Sequence, residues 1–279
     1  MPVTMDVDPF IYEANNRPID NFCGLSASEM HQLVHNPISE DSVVRLKNPI
    51  TDDVLDRIPL VRLLEEFIGL FNEKTGSMKL TSTGSLQQGV LRELYAKGIV
   101  RDDYLDYRNK PITREVQWEA MYALHNVARL SGLVRMQHNK LYLTKKAKKL
   151  MKDKAELFKY LLKVYAEQFN WGYMDGYPDE PVGQVAWPYT LYLLNKYGHK
   201  LQPTAFYSDL YKKAFPQLAV GFTDAAFGTG ESYFANCFKV RTFTRFLDRF
   251  GLIVLDKGLI DKDKQVKASP LLNELFEFE

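Results

Sequence analysis

The chain has 279 residues, 46% hydrophobic and 25% charged, values of an ordinary globular protein that exclude wholesale disorder and a fibrous class. Its formal net charge of +1 supplies no global field toward nucleic acid or an anionic membrane. Two cysteines, Cys23 and Cys237, make no metal or redox motif, no apolar run reaches the length of a membrane span, and the opening residues lack a basic and apolar leader. A reducing, cytoplasmic setting with no membrane contact and no cofactor is therefore the expectation.

Residues 1–23 hold Pro2, Pro9 and Pro18 without a sustained period and read as an extended N-terminal arm. Order begins at Ser26-Ala27-Ser28-Glu29, which has the form of a capping box. Met30, Leu33 and Val34 then share a helical face until Asn36-Pro37 stops it. Further on, sliding the chain by 63 residues superposes Gly69 on Gly132 and Leu80-Thr81 on Leu143-Thr144. Val61, Leu64, Phe67 and Leu70 fall on Leu124, Val127, Leu130 and Leu133. A looser third copy aligns Phe243, Phe246 and Gly251-Leu252-Ile253, with Ser269 at the place of Thr144 after a longer connection.

Each copy reads as an amphipathic helix ended by a glycine, two short strands about a polar turn, and a hydroxyl that caps the next helix. The turns are Gln137-His138-Asn139-Lys140 and Asp261-Lys262-Asp263-Lys264. A helix over 86–98 is shared by the first two copies. One long helix is expected after Thr144, its stripe running from Ala147 through Leu150, Phe158 and Leu161 to Tyr165. Residues 170–188, dense in aromatics, prolines and glycines, read as a structured connector. Helices follow over 189–197 and 204–215, then a loop over 221–230 and a helix over 236–250.

Helix, hairpin, helix resembles the tail of a winged-helix module, with Gly132-Leu133-Val134 to Leu141-Tyr142-Leu143-Thr144 as its wing. Gly24-Leu25-Ser26, Met30-His31, Asn36-Pro37 and Leu80-Thr81-Ser82-Thr83-Gly84-Ser85-Leu86 also resemble an uncharacterised bacterial family sometimes attached to plasmid Orf3-like domains. That second resemblance spans most of residues 24–165 and implies no activity. The fold expected is mainly α with small β-hairpins: tandem winged-helix-like modules joined by a helical connector. Two winged-helix-like repeats would occupy 24–169, and the connector with a C-terminal module 170–279.

The foremost binding candidate is the helix 236–250. At 100° per residue, Arg241, Arg245 and Arg249 form a row opposite Phe243, Phe246 and Phe250, with Thr242 beside them and Lys239 nearby. In a winged helix that row would meet duplex nucleic acid in a major groove. Its other reading is a solvated face whose arginines meet acidic neighbours or a protein partner. The second candidate is a lysine stripe that includes Lys145, Lys148 and Lys152. Residues 111–170 carry 12 basic side chains against 5 acidic ones, the only basic stretch of the chain. A phosphate partner and a plain solvated face both account for it.

His31 and His35 stand at the i, i+4 spacing of a two-histidine metal pair that Cys23 could approach, but Gln32 replaces the glutamate of a zincin and the pair alone is a weak metal candidate. Gly228-Thr229-Gly230-Glu231-Ser232 lacks the Gly-Lys ending of a phosphate loop. With no nucleophile elbow, kinase set or dinucleotide fingerprint, catalytic residues are not assigned. Three functions stay open: a non-catalytic nucleic-acid-binding protein, a protein-interaction scaffold, and an enzyme whose site no motif reveals.

Overall fold

A computed structural model describes residues 9–108, 110–256 and 264–279, which are mainly helical, 53% helix and 12% strand, with small antiparallel sheets. The chain divides into two units. The first holds the residues up to Asn48, Trp171–Asp248 and the chain from Leu252 on. The second holds Pro49–Asn170 with Arg249–Gly251. The first unit therefore includes residues 24–48, which the sequence grouped with the segments that follow them.

Residues 9–23, expected to be extended, contain helix α1 (Pro9–Asn16) and a 3-10 turn at Asp20–Phe22. The first eight residues of that arm lie outside the described ones. Helix α2 (Ala27–His35) starts as the sequence predicts: Ser26 Oγ accepts from Glu29 N–H at 3.3 Å, and Glu29 Oε2 accepts from Ser26 N–H at 2.6 Å. Strand β1 (Val44–Leu46) follows.

In the second unit, α3 (Asp52–Leu55) leads into α4 (Pro59–Gly69), which buries Leu60, Val61, Leu63, Leu64, Phe67 and Ile68. Six such side chains each contribute on the order of 1.5–3 kcal/mol of transfer free energy. Strand β2 (Ser77–Lys79) and helices α5 (Gln88–Ala96) and α6 (Asp103–Arg108) come next. Helix α7 (Glu119–Leu130) ends at Gly132, whose φ of +69° is the left-handed geometry a helix end favours. Strands β3 (Val134–Gln137) and β4 (Lys140–Leu143) form a hairpin about His138 and Asn139, both at positive φ. Thr144 Oγ1 then accepts from Ala147 N–H at 3.2 Å and caps α8 (Lys145–Leu150).

Two expectations about this unit are corrected. The long helix after Thr144 is two helices, because Asp153 caps a new one, α9 (Lys154–Lys163), by accepting from Glu156 N–H at 3.1 Å. A π-helical turn at Val164–Gln168 extends it. The first two copies of the repeat are also not two hairpin modules. Gly69 lies inside α4 without a positive φ, and Thr81 opens a tight turn instead of capping a helix, its Oγ1 accepting from Ser85 N–H at 3.0 Å. The first copy supplies one strand, β2, which pairs with β4 to give the order β2-β4-β3.

The first unit resumes with the stretch to residue 188, which holds a 3-10 turn at Trp171–Met174 and the first residues of the next helix and is otherwise irregular chain. Helices α10 (Trp187–Tyr197), α11 (Thr204–Ala214) and α12 (Gly230–Phe238) follow, with strand β5 (Gln202–Pro203) before α11. Helix α12 runs on as a π-helix over Lys239–Leu247. Strands β6 (Ile253–Leu255) and β7 (Gln265–Ala268) pair with each other, and β5 joins them in the order β5-β7-β6. Of the turn expected between them, Asp261, Lys262 and Asp263 lie outside the described residues. Helix α13 (Pro270–Leu275) and β8 (Phe276–Phe278) end the chain, β8 pairing antiparallel with β1 so that Val44 faces Phe278.

Candidate nucleic-acid interface

The arginine row is interior. Arg241, Arg245 and Arg249 are 2%, 7% and 5% exposed. Arg241 grips Asp175 with two parallel hydrogen bonds, Nε to Oδ2 at 2.9 Å and Nη2 to Oδ1 at 2.8 Å, and also donates to the carbonyls of Pro178 and Glu180. Arg245 donates to the same carboxylate at 2.6 Å and to the carbonyls of Trp171 and Met174. Arg249, in the second unit, donates to Tyr165 Oη at 2.9 Å and lies 3.6 Å from Glu119.

These contacts overturn the exposed ridge expected from the helical wheel. A wheel sees only its own helix; the counter-ion Asp175 comes from the connector, whose Trp171 stacks on Phe246 with centroids 4.6 Å apart. The helix is therefore covered on its polar side as well as its phenylalanine side, and the arginines serve as fork-shaped donors to carbonyls and one carboxylate. Burial alone would raise the Asp175 carboxyl, but the hydrogen bond and charge of Arg241, with the charge of Arg245, outweigh it and hold the group below its ordinary value. Burial pushes the Cys237 thiol up to about 12, which leaves it an inert apolar side chain at neutral pH. Thr242 is buried, and Lys239 is half-buried, donating to Asn236 Oδ1 at 2.8 Å.

The lysines hold a different position. Lys145, Lys148, Lys149 and Lys152 are exposed, and no carboxylate among the described residues pairs with them. Lys154 is taken by Asp56 and Glu65, and Lys159 by Glu156. Beside α8 lies a surface the sequence reading missed. Side chains two apart on a strand share a face. The register aligns Ser77, Tyr142 and Arg135 in one row and Lys79, Lys140 and Gln137 in the next. Opposite this face, Met78, Leu141 and Val134 are buried.

The outward face thus carries Lys79, Lys140 and Arg135 around a central Tyr142 and holds no carboxylate. The Arg135 guanidinium lies 5.3 Å from the Tyr142 ring centroid, a cation–π distance, and donates to Gln137 Oε1 at 2.9 Å. Lys79 and Lys140 stand directly opposite each other, an arrangement that costs a few tenths of a kcal/mol to about 1 kcal/mol without an anion to share. The Lys148 ammonium lies 3.7 Å from where a Cβ on Gly76 would stand, so α8 and the entry to β2 adjoin. Alternation over 77–79, 135–137 and 140–142 was legible; the pairing of β2 with β4, which unites the three pieces, was not.

Other candidates are placed as follows. His31 and His35 are exposed with ring centroids 4.3 Å apart, and no group of three metal-ligating side chains occurs among the described residues. In the glycine loop, Asp224 Oδ1 accepts from Gly230 N–H at 2.8 Å, so a carboxylate already holds the donor a phosphate would use. A buried Glu115–His125 pair, Oε1 to Nδ1 at 2.7 Å, ties α7 to the chain at Leu86, whose N–H donates to Glu115 Oε2 at 2.6 Å. No described helix is long and apolar enough to cross a membrane. No family model, curated protein or solved structure matches the chain.

Proposed function

We propose that the chain is a non-catalytic nucleic-acid-binding protein that holds the phosphate backbone of a duplex on the β2-β4-β3 face and the adjoining lysines of α8. The observation that carries this reading is the carboxylate-free face of Lys79, Arg135 and Lys140, continued by Lys145, Lys148 and Lys152. Phosphate contacts give affinity without reading sequence, and each neutralised phosphate releases counterions, so the binding is salt-sensitive.

On this reading each unit contains one winged-helix-like module. What supports it is a shared order of helix, strand, helices and hairpin, with α5, α6 and α7 before one hairpin and α11 and α12 before the other, and with the first strand added beside the last: β2 on β4, and β5 on β7. The helices placed to enter a groove are unsuited to it. Helix α7 buries seven of its side chains, and the π-helix buries its arginines. The wing and the helix after it therefore make the contact.

The test is retention of a short DNA duplex across a salt series. The parent loses affinity steeply between about 50 and about 200 mM salt. The variant K79Q/R135Q/K140Q binds more weakly, with a log–log slope shallower by roughly 0.9 per contact removed. A parent that shows no salt-dependent retention overturns the reading. A protein-partner reading has its own support: α1 buries no residue and leaves Phe10, Ile11 and Tyr12 at 78%, 51% and 64% exposure. It predicts that deleting residues 9–16 abolishes a protein association while leaving stability unchanged.

A further inference from the structure

In the second unit, a cleft of about 440 Å³ is lined by Tyr104, Leu105, Arg108, Lys110, Pro111, Thr113, Arg114 and Gln117. Its charged side chains are three cations and no carboxylate. Three of the neighbouring acids are engaged elsewhere. Asp102 Oδ1 accepts from Tyr104 and Leu105 N–H at 3.1 and 3.0 Å, Asp106 is paired with Arg101 and Tyr95, and Glu115 is paired with His125. Among the described residues no carboxylate pairs with Arg108, Lys110 or Arg114.

The rest of the lining suits a flat organic group. Tyr104 is 63% exposed and stands with Leu105 and Pro111, while the Arg108 guanidinium lies 5.3 Å from the Tyr104 ring and donates to its hydroxyl at 3.0 Å. The loop is held by Gln117, whose Oε1 accepts from Thr113 N–H, Thr113 Oγ1 and Arg114 N–H at 2.8–3.1 Å. That leaves the Gln117 amide nitrogen as a donor in the cleft wall. The volume falls within the range of small-molecule sites.

We propose that this cleft binds a free nucleoside monophosphate, its base stacked on Tyr104 and its phosphate held by Arg108, Lys110 and Arg114. Aromatic stacking supplies an apolar contact any base can use, and the two arginines offer forked donors to phosphate oxygens. None of these residues belongs to the β2-β4-β3 face, so the site stands or falls apart from duplex binding.

The experiment titrates the full chain calorimetrically with AMP, GMP, CMP and UMP, and with inorganic phosphate. The expected result is that at least one nucleotide binds about tenfold or more tightly than phosphate. R108Q/R114Q, with unchanged circular dichroism, removes that binding, Y104A brings the nucleotide down to the affinity of phosphate, and K79Q/R135Q/K140Q leaves it intact. Absence of nucleotide binding at millimolar concentration, equal affinity for phosphate alone, or full binding by R108Q/R114Q overturns the proposal.

Discussion

Asp175 is the residue on which the connector turns. It is the carboxylate partner of both Arg241 and Arg245, so removing it takes one shared counter-ion from two buried guanidinium groups. Breaking such a pair from one side costs about 3–5 kcal/mol, and Asp175→Ala should lower the urea unfolding free energy by that amount. The pH dependence has a definite sign. Because the folded carboxyl titrates below its unfolded value, the stabilisation is fully present above the ordinary carboxylate range, near pH 4. It is lost as pH falls through the folded value. The stability gap between the parent and Asp175→Asn should therefore stay constant above about pH 5 and close in stronger acid. Thiol chemistry gives an independent check: Cys237, fully buried and raised to about 12, should react with a thiol reagent only after denaturant is added, whereas half-buried Cys23 reacts first.

Among the elements, the β3–β4 hairpin carries the most readable chemistry. A two-residue turn with both residues at positive φ favours Asn followed by Gly, and here the pair is His138 and Asn139. Asn139→Gly should stabilise the hairpin by about 0.5–1 kcal/mol, measured as a shifted urea midpoint without a change in slope. This turn, the Ser26 capping box and the Thr144 cap were legible because each is written in four or five consecutive residues. The division between α8 and α9 was written there too, in Asp153, but the apolar stripe that runs past it hid the cap. What sequence could not supply was pairing at a distance. The 63-residue repeat located β2 but gave it the wrong partner, since a strand of three residues does not encode which hairpin it joins. The arginine row failed for the same reason, its counter-ion lying 66 and 70 residues earlier.

Across the whole molecule, sequence order and structural units do not coincide. The tripeptide Arg249–Gly251 belongs to the second unit, where Phe250 packs edge-on against Tyr165 and Phe158 at 5.3 and 6.5 Å. Arg249 O also accepts from Leu60 N–H at 2.9 Å. Phe250→Ala should cost about 3–5 kcal/mol and act on the second unit, although it lies far along the chain from that unit's main segment. Measuring tryptophan fluorescence with Trp118 as the only tryptophan would report that loss within the second unit. The same tripeptide sets a timetable for biosynthesis. Residue 170 leaves the ribosome about eighty residues before residue 251, a wait of roughly 4–16 s at ordinary elongation rates. During that interval the nascent second unit has an unfilled slot where Phe250 will sit, and β1 waits longer still, since its partner β8 is made after residue 251. A newborn chain of this protein thus passes through a stage with apolar surface uncovered, the condition under which chaperones engage.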